Sequence, residues 1–325
     1  FDIGSNETVC FIQSQAKNAI LNRVNRGSAS QILGTLRADC PIYLINPQGV
    51  FIGTSAYIET AGFIASTADI SDDLFWADKQ MIFENLGDGK IVNLGRIVSN
   101  RQDVILIART IDNQGEIKAP DGQVSLITTE ALIDPGTRQS IFIRLDNPSD
   151  KEEGITNGGA IEALSIEFQT LSLYEKAINH TGSIEMVASK ESHGRIYLVA
   201  SHGECVIDAP VLAASGTVEI AAKALHLTDN ALIDVSGQNH PGQILVSLPT
   251  QSVLVDPGAC LLANALGDGN GGDIHIESDL ELIFSGFAQV RGGPCGGDGG
   301  FIHLSSKGPL FKLGSENPLV DAQPL

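Results

Sequence analysis

From residue 91 the chain runs IVNLGRIVSNRQDVILIART, and the next segment, IDNQGEIKAPDGQVSLITTE, repeats its pattern with a period of 20. Asn93, Gly95 and Ile97 align with Asn113, Gly115 and Ile117, and Val104 and Leu106 align with Val124 and Leu126. A second signature, a glycine followed by apolar residues two and four places on, starts at Gly122, Gly194, Gly216, Gly242, Gly272 and Gly300, with last intervals of 22, 26, 30 and 28 residues. Strict alternation over about five residues predicts a strand with one buried face. β-Branched residues and flanking glycines agree. Strands this sparse do not fit hairpin sheets, whose turns fall every ~8 to 12 residues, and no sustained apolar stripe at helical spacing separates them as βαβ units require. A solenoid remains, in which each coil lays its strands beside those of the next and buries the inward side chains in one column. The pattern therefore predicts a parallel β-helix.

Three stretches depart from the repeat. Asp69–Lys79, DISDDLFWADK, predicts a helix of one or two turns with Ser71 as N-cap and with Leu74, Phe75 and Trp76 packed on the body. Residues 146–159, DNPSDKEEGITNGG, are polar and turn-rich and read as a loop leaving it. Asn46-Pro47-Gln48-Gly49 separates the apolar runs YLI and VFIG. Asn at the first position, Pro at the second and Gly at the fourth suit a type I turn. The DPG tripeptides at 134–136 and 256–258 read as ordinary turns.

Composition agrees with a turn-rich folded body: 35 of the 325 residues are glycine while 42% are apolar. With 20 basic against 39 acidic residues the formal net charge is -19, which repels phosphate backbones and anionic headgroups. No run of 18 apolar residues predicts a membrane-spanning helix, and Phe1 is not followed by the basic and apolar regions of a signal peptide. Cys10, Cys40, Cys205, Cys260 and Cys295 have no C-x-x-C or zinc spacing, and are expected as small buried hydrophobes.

Motifs that could carry chemistry are outweighed by structural readings. Gly267–Gly272 matches G-x-G-x-x-G, but DIHIESDLELIF follows it with strand alternation where a pyrophosphate needs a helix. Neither this stretch nor GGPCGGDGG repeats at the nine-residue interval of calcium-binding coils. A glycan-cleaving site on a β-helix needs acids in register on successive coils. Asp103 shares its register with Gln123, and Asp208 and Asp234 lie about one coil apart but at turns. His180, His193, His202, His226, His240, His275 and His303 show no H-E-x-x-H spacing, and no G-x-S-x-G elbow is present. His275 and His303 hold equivalent outward positions in two signature copies and read as a stacked surface pair before a metal site.

Residues 20–53, ILNRVNRGSASQILGTLRADCPIYLINPQGVFIG, and 61–75, AGFIASTADISDDLF, resemble the N-terminal secretion domain of filamentous haemagglutinin-like and high-molecular-weight adhesins, the two-partner secretion exoproteins. Downstream, GKIVNLGRI, ALIDVSG, GNGGDIHI and GGDGGFIHLSSKG look like that family's coils. The resemblance implies an all-β, right-handed, single-stranded parallel β-helix with an N-terminal cap and small extra-helical elements. Residues 1–85 would form the cap and motif-bearing part, and residues 86–325 would continue the coils in one body.

The resemblance also implies a non-enzymatic, monomeric exported protein of a Gram-negative-type bacterium that needs no cofactor or metal. It would pass through the periplasm, where the soluble modules of a dedicated outer-membrane transporter would recognise it. The full protein would be a secreted or cell-surface adhesin or haemagglutinin with a role in virulence, and its outside partner a host-cell surface or glycan. The family's turn usually reads N-P-N-G, which places a recognition or folding role on Asn46, Pro47 and Gly49, with Asn22 and Arg23 of LNRV as further candidates. Gln48 departs from the family's asparagine, which favours a type I turn because Gln enters the left-handed region less readily than Asn. Cross-links would hinder threading of an extended chain, a second reason to expect reduced cysteines. A β-helical polysaccharide-degrading enzyme and the stem of a contact-dependent toxin are the alternatives.

Overall fold

The computed structural model describes residues 1–13, 19–76, 80–133, 141–143, 154–173, 176–187, 194–247, 250–308, 310–313 and 320–322. The DPG turn at 134–136, residues 77–79 and 146–153, and His193 lie outside them. The chain divides into two compact units, Phe1–Ala163 with Phe168–Ser172, and Leu164–Glu167 with Leu173–Leu325.

In the first unit three ladders of parallel strands run side by side. One joins Thr8–Phe11, Thr35–Ala38, Tyr57–Thr60, Arg96–Ser99 and the start of Glu116–Ile127. The second joins Ser30–Ile32, Gly49–Ile52, Lys90–Asn93, Thr110–Asn113 and Gly154–Asn157. The third joins Ile20–Arg23, Pro41–Ile45, Gly62–Ser66, Val104–Ile107 and the end of Glu116–Ile127. The second unit has the same plan. Its clearest ladder carries the glycine signature, with Ile196, Val218, Ile244, Ile274 and Ile302 in direct register. Ile196, Val218, Ile244 and Ile274 are fully buried, each contributing about 1.5–3 kcal/mol by removal from water. The fold is a parallel β-helix.

The glycines that open the signature have a steric reason. A Cβ on Gly242 would collide with the Gly216 carbonyl, and one on Gly300 with that of Gly272. Those carbonyls accept hydrogen bonds from Gln243 N at 3.0 Å and Phe301 N at 3.1 Å. The period-20 repeat is likewise a true coil, with Ile91 on Ile111, Ile97 on Ile117 and Val104 on Val124. Its asparagines form a buried ladder: Asn93 Nδ2 donates to Asn113 Oδ1 and Asn113 Nδ2 to Asn157 Oδ1, both at 2.7 Å.

Asn157 also corrects the expected loop at 146–159, because Gly154–Asn157 is a strand of the body, in register with Thr110–Asn113. In the third ladder of the first unit both faces are covered, and Pro41–Ile45, Gly62–Ser66 and Val104–Ile107 are buried at every residue. Their outward residues Tyr43, Ile45, Ile64, Ile105 and Ile107 form a second apolar cluster with Met81, Phe83, Ala131 and Ile133. The last four come from a small antiparallel sheet, Met81–Phe83, Ala131–Ile133 and Ile141–Ile143.

The expected helix is Asp72–Trp76, with Leu74 N donating to Ser71 Oγ at 3.3 Å as the N-cap predicts. Leu74 and Phe75 pack on the outward cluster, and Phe75 meets Tyr43 edge to face at 5.2 Å. Trp76 differs from expectation. It is 77% exposed and touches Phe75 from outside, because a five-residue helix brings only part of its circumference to the sheet. No helix among the described residues is long and apolar enough to cross a membrane.

Candidate functional site

The turn at Asn46–Gly49 closes as a type I turn should, with Gly49 N donating to Asn46 O at 2.9 Å. Positive φ among the described non-glycine residues is confined to Asn85, Lys176 and Ser215, so Gln48 does not take the left-handed conformation of a type II turn. Gly49 does need it, at φ 104°.

Asn46 holds the turn from inside. Its side chain is buried, and its Oδ1 accepts from Gln48 N at 3.0 Å. Its Nδ2 reaches the preceding coil, donating at 3.0 Å to both the Ser28 carbonyl and Ser30 Oγ. On the opposite side the turn lies under Leu86–Lys90. Gly89 N donates to Pro47 O at 3.1 Å, and Gly87 N to Thr67 O at 3.0 Å. A Cβ on Gly87 would strike the Pro47 backbone, one on Gly89 the backbone of Gln48 and Gly49, and one on Gly49 the Lys90 carbonyl. Arg109 steadies this cover, with Nε 3.6 Å from Asp88 Oδ1. Asn46 and Gly49 are therefore interior, while Pro47 is half-buried and Gln48 exposed.

Arg23 and Asn22 lie on the strand Ile20–Arg23, in register with Ile45 and Leu44. Arg23 joins this strand to the start of the helix. Its Nε donates to Asp69 Oδ1 at 2.8 Å, one terminal nitrogen to Asp72 Oδ1 at 2.9 Å and the other to the Ile70 carbonyl at 2.6 Å. The Asp72 hydrogen bond, with that of Asp69, holds the guanidinium pKa above its usual value against partial desolvation. Asn22 shares the inward register of the fully buried Leu44, and its Nδ2 is buried without a hydrogen-bond partner. The four turn residues thus form one site. Arg23 acts at the neighbouring helix, and Asn22 inside the body.

Ser28, Ser30, Gly87, Gly89, Asp69 and Asp72 complete this arrangement and were not indicated by the turn itself. NLGDGK was the available signal, but the excursion between Asp69 and Glu84 breaks the repeat that would align it with the turn.

Among the described residues the carboxylates singled out by the sequence do not stack as an acid pair. Asp234 is in register with Leu212 and Leu262, and Asp208 is held by the Thr228 hydroxyl and by Asn230 Nδ2 at 2.9 Å. Those bonds, Thr228 first, lower the Asp208 pKa. The strand Asp273–Ser278 directly follows Gly267–Gly272, as the alternation predicted. Cys40 and Cys205 are buried as expected, and burial pushes the Cys205 thiol up to about 12. Cys10 and Cys295 are exposed, a correction whose cause is position: Cys10 lies on Thr8–Phe11, which among the described residues pairs with Thr35–Ala38 alone, and Cys295 on a glycine-rich corner.

Three ladders of coils, an amphipathic cover and a turn sealed between coils define a β-solenoid domain with a specialised first unit. The sequence matches the TPS secretion domain family over residues 1–220, and the chain belongs to that family, the secretion domains of two-partner secretion exoproteins. The HMW1 secretion domain from Haemophilus influenzae superposes with a TM-score of 0.82 at 27% identity, covering 99% of this chain and 89% of that chain. A heme/hemopexin-binding protein of Haemophilus influenzae (strain ATCC 51907 / DSM 11121 / KW20 / Rd) is 33% identical over 173 residues, 50% of this chain. A second heme/hemopexin-binding protein of Haemophilus influenzae is 46% identical over 70 residues, 22% of this chain. The chain spans only 19% and 8% of the length of these curated relatives.

Proposed function

We propose that the Asn46–Gly49 turn presents a small recognition surface to the periplasmic modules of a dedicated outer-membrane transporter. Residues 1–85 act as the cap on which residues 86–325 fold, coil on coil, outside the cell. Family membership supports the route. The observation that carries the role of the turn is its split between a buried frame, Asn46 and Gly49, and an outward edge, Pro47 and Gln48, on a backbone fixed by both neighbouring coils. In this reading Asn46, Gly49 and Arg23 serve folding, Asn22 sits on the inward side of the first coils, and Pro47 and Gln48 supply the contact. A solenoid has only neighbour contacts, so folding can follow emergence and draw export forward.

Secretion of this chain with and without its transporter, measured as the ratio of extracellular to periplasmic protein, tests the reading. The pair P47A/Q48A is expected to lower the ratio while lowering the thermal midpoint of the purified domain only slightly, through loss of the ~0.4–1 kcal/mol that a turn proline contributes. N46A and G49A are expected to lower both. An unchanged ratio in all three variants would overturn the role of the turn.

The exported protein is read as an adhesin or haemagglutinin acting at a host surface. A second reading, supported by the names of the two curated relatives, is that it serves heme or hemopexin binding. Pull-down of hemopexin by the full-length protein, against red-cell agglutination, separates the two.

A further inference from the structure

We propose that His275, Glu277 and His303 form a binding site for a borderline divalent metal ion, of the zinc, nickel or copper class, that clasps two successive coils of the second unit. His275 and His303 are register partners on the parallel strands Asp273–Ser278 and Phe301–Ser306, with rings stacked at 4.5 Å and 16°. Stacking alone is what the sequence predicted; the directions of the ring nitrogens add to it. His275 Nε2 lies 3.6 Å from Glu277 Oε1, and His303 Nε2 lies 3.1 Å from Ser305 Oγ. Glu277 and Ser305 are themselves register partners, so both imidazoles aim the same nitrogen along the strand toward one outward spot.

One donor atom from each of His275, Glu277 and His303 lies within 4.8 Å of the others. Two imidazoles and a carboxylate are a donor set of this ion class, with bond lengths of about 2.0–2.2 Å and donors therefore roughly 3.3 Å apart. The His275–Glu277 pair is already near that spacing, at 3.6 Å. Metal binding would exchange the His303–Ser305 hydrogen bond for a coordinate bond. Among the described residues no lysine or arginine pairs with Glu277, so its charge is free to meet a cation. Leu245, in register with His275, and Phe301, stacked on His303 at 6.2 Å, give the site an apolar border. Because the two histidines become neighbours only when coils stack, an ion here favours the folded state over the unfolded chain.

The test uses the whole chain, stripped with chelator and titrated with zinc by calorimetry and with copper(II) by electron paramagnetic resonance. About one ion per chain is expected, with hyperfine structure from two nitrogens and a higher thermal midpoint when zinc is present. H275Q and H303Q should weaken binding at least ~100-fold, beyond the ~10–100-fold typical of losing an outer-shell partner. Both should abolish the zinc-dependent rise and leave the metal-free midpoint unchanged, since the side chains point outward. H240Q, at an exposed histidine elsewhere, should bind as the parent does. Absence of binding at 100 µM zinc, or equal binding by the parent and H275Q/H303Q, would overturn the proposal.

Discussion

Asn46 Nδ2 donates to Ser30 Oγ at 3.0 Å across the boundary between two coils. The same nitrogen serves the Ser28 carbonyl, so one side chain carries two inter-coil hydrogen bonds in a buried place. N46A should destabilise the domain by about 2–3 kcal/mol, since buried partners lose their donor. N46D should be at least as damaging at pH 7, because it keeps the acceptor for Gln48 N but turns a carboxylate oxygen on the Ser28 carbonyl. Urea unfolding with an unchanged slope would measure both.

Gly89 should tolerate no side chain, because its missing Cβ is where the backbone of Gln48 and Gly49 passes. G89A is expected to lower stability by more than ~2 kcal/mol, in the range of overpacking strain. Q48A, at an exposed position of the same turn, should stay within ~0.5 kcal/mol. Thermal unfolding of the two purified variants makes the comparison.

The asparagine ladder should be sensitive to truncation. N113A removes an acceptor from Asn93 and a donor from Asn157 at once, leaving two buried amides short of a partner. A loss of about 2–4 kcal/mol is expected by denaturant titration, and a similar loss for N93A, which strands Asn113 Oδ1 and the Gly95 N–H that donates to Asn93 Oδ1.

The cysteines should divide by accessibility. Under native conditions at pH 7.5, iodoacetamide should modify Cys10 and Cys295, while Cys40 and Cys205 react only after unfolding. Cys205 is protected twice, by exclusion from solvent and by a thiol pKa pushed up to about 12, which leaves almost no thiolate. Mass spectrometry of the labelled peptides reads the order.

What could be read from the sequence was whatever repeats. Ile196, Val218 and Ile244 announced their column through spacing, and Asn93 and Asn113 their ladder, because register neighbours meet the same environment. The cover on Tyr43, Ile64 and Ile105 was not legible. Its parts, Met81–Phe83 and Ala131–Ile133, come from two separate excursions that pair antiparallel and share no period with the coils. The turn itself was legible from its own four residues, whereas Ser28, Ser30, Gly87 and Gly89 act on it through tertiary contact alone. Gly154–Asn157 was hidden for a related reason: its polar flanks suggested a loop, but Ile155 and Asn157 continue the inward column after an interruption.

The neighbours of the Asn46–Gly49 turn have an order in the chain: Ser28 and Ser30, which Asn46 bonds, precede it, while Gly87 and Gly89, which pack on Pro47–Gly49, come some forty positions later. Any process that delivers the polypeptide N-terminus first meets an unfinished knot at this point, tied on its early side and open on its late side. The latch shuts only when the later segment, with Gly87 and Gly89, is in place.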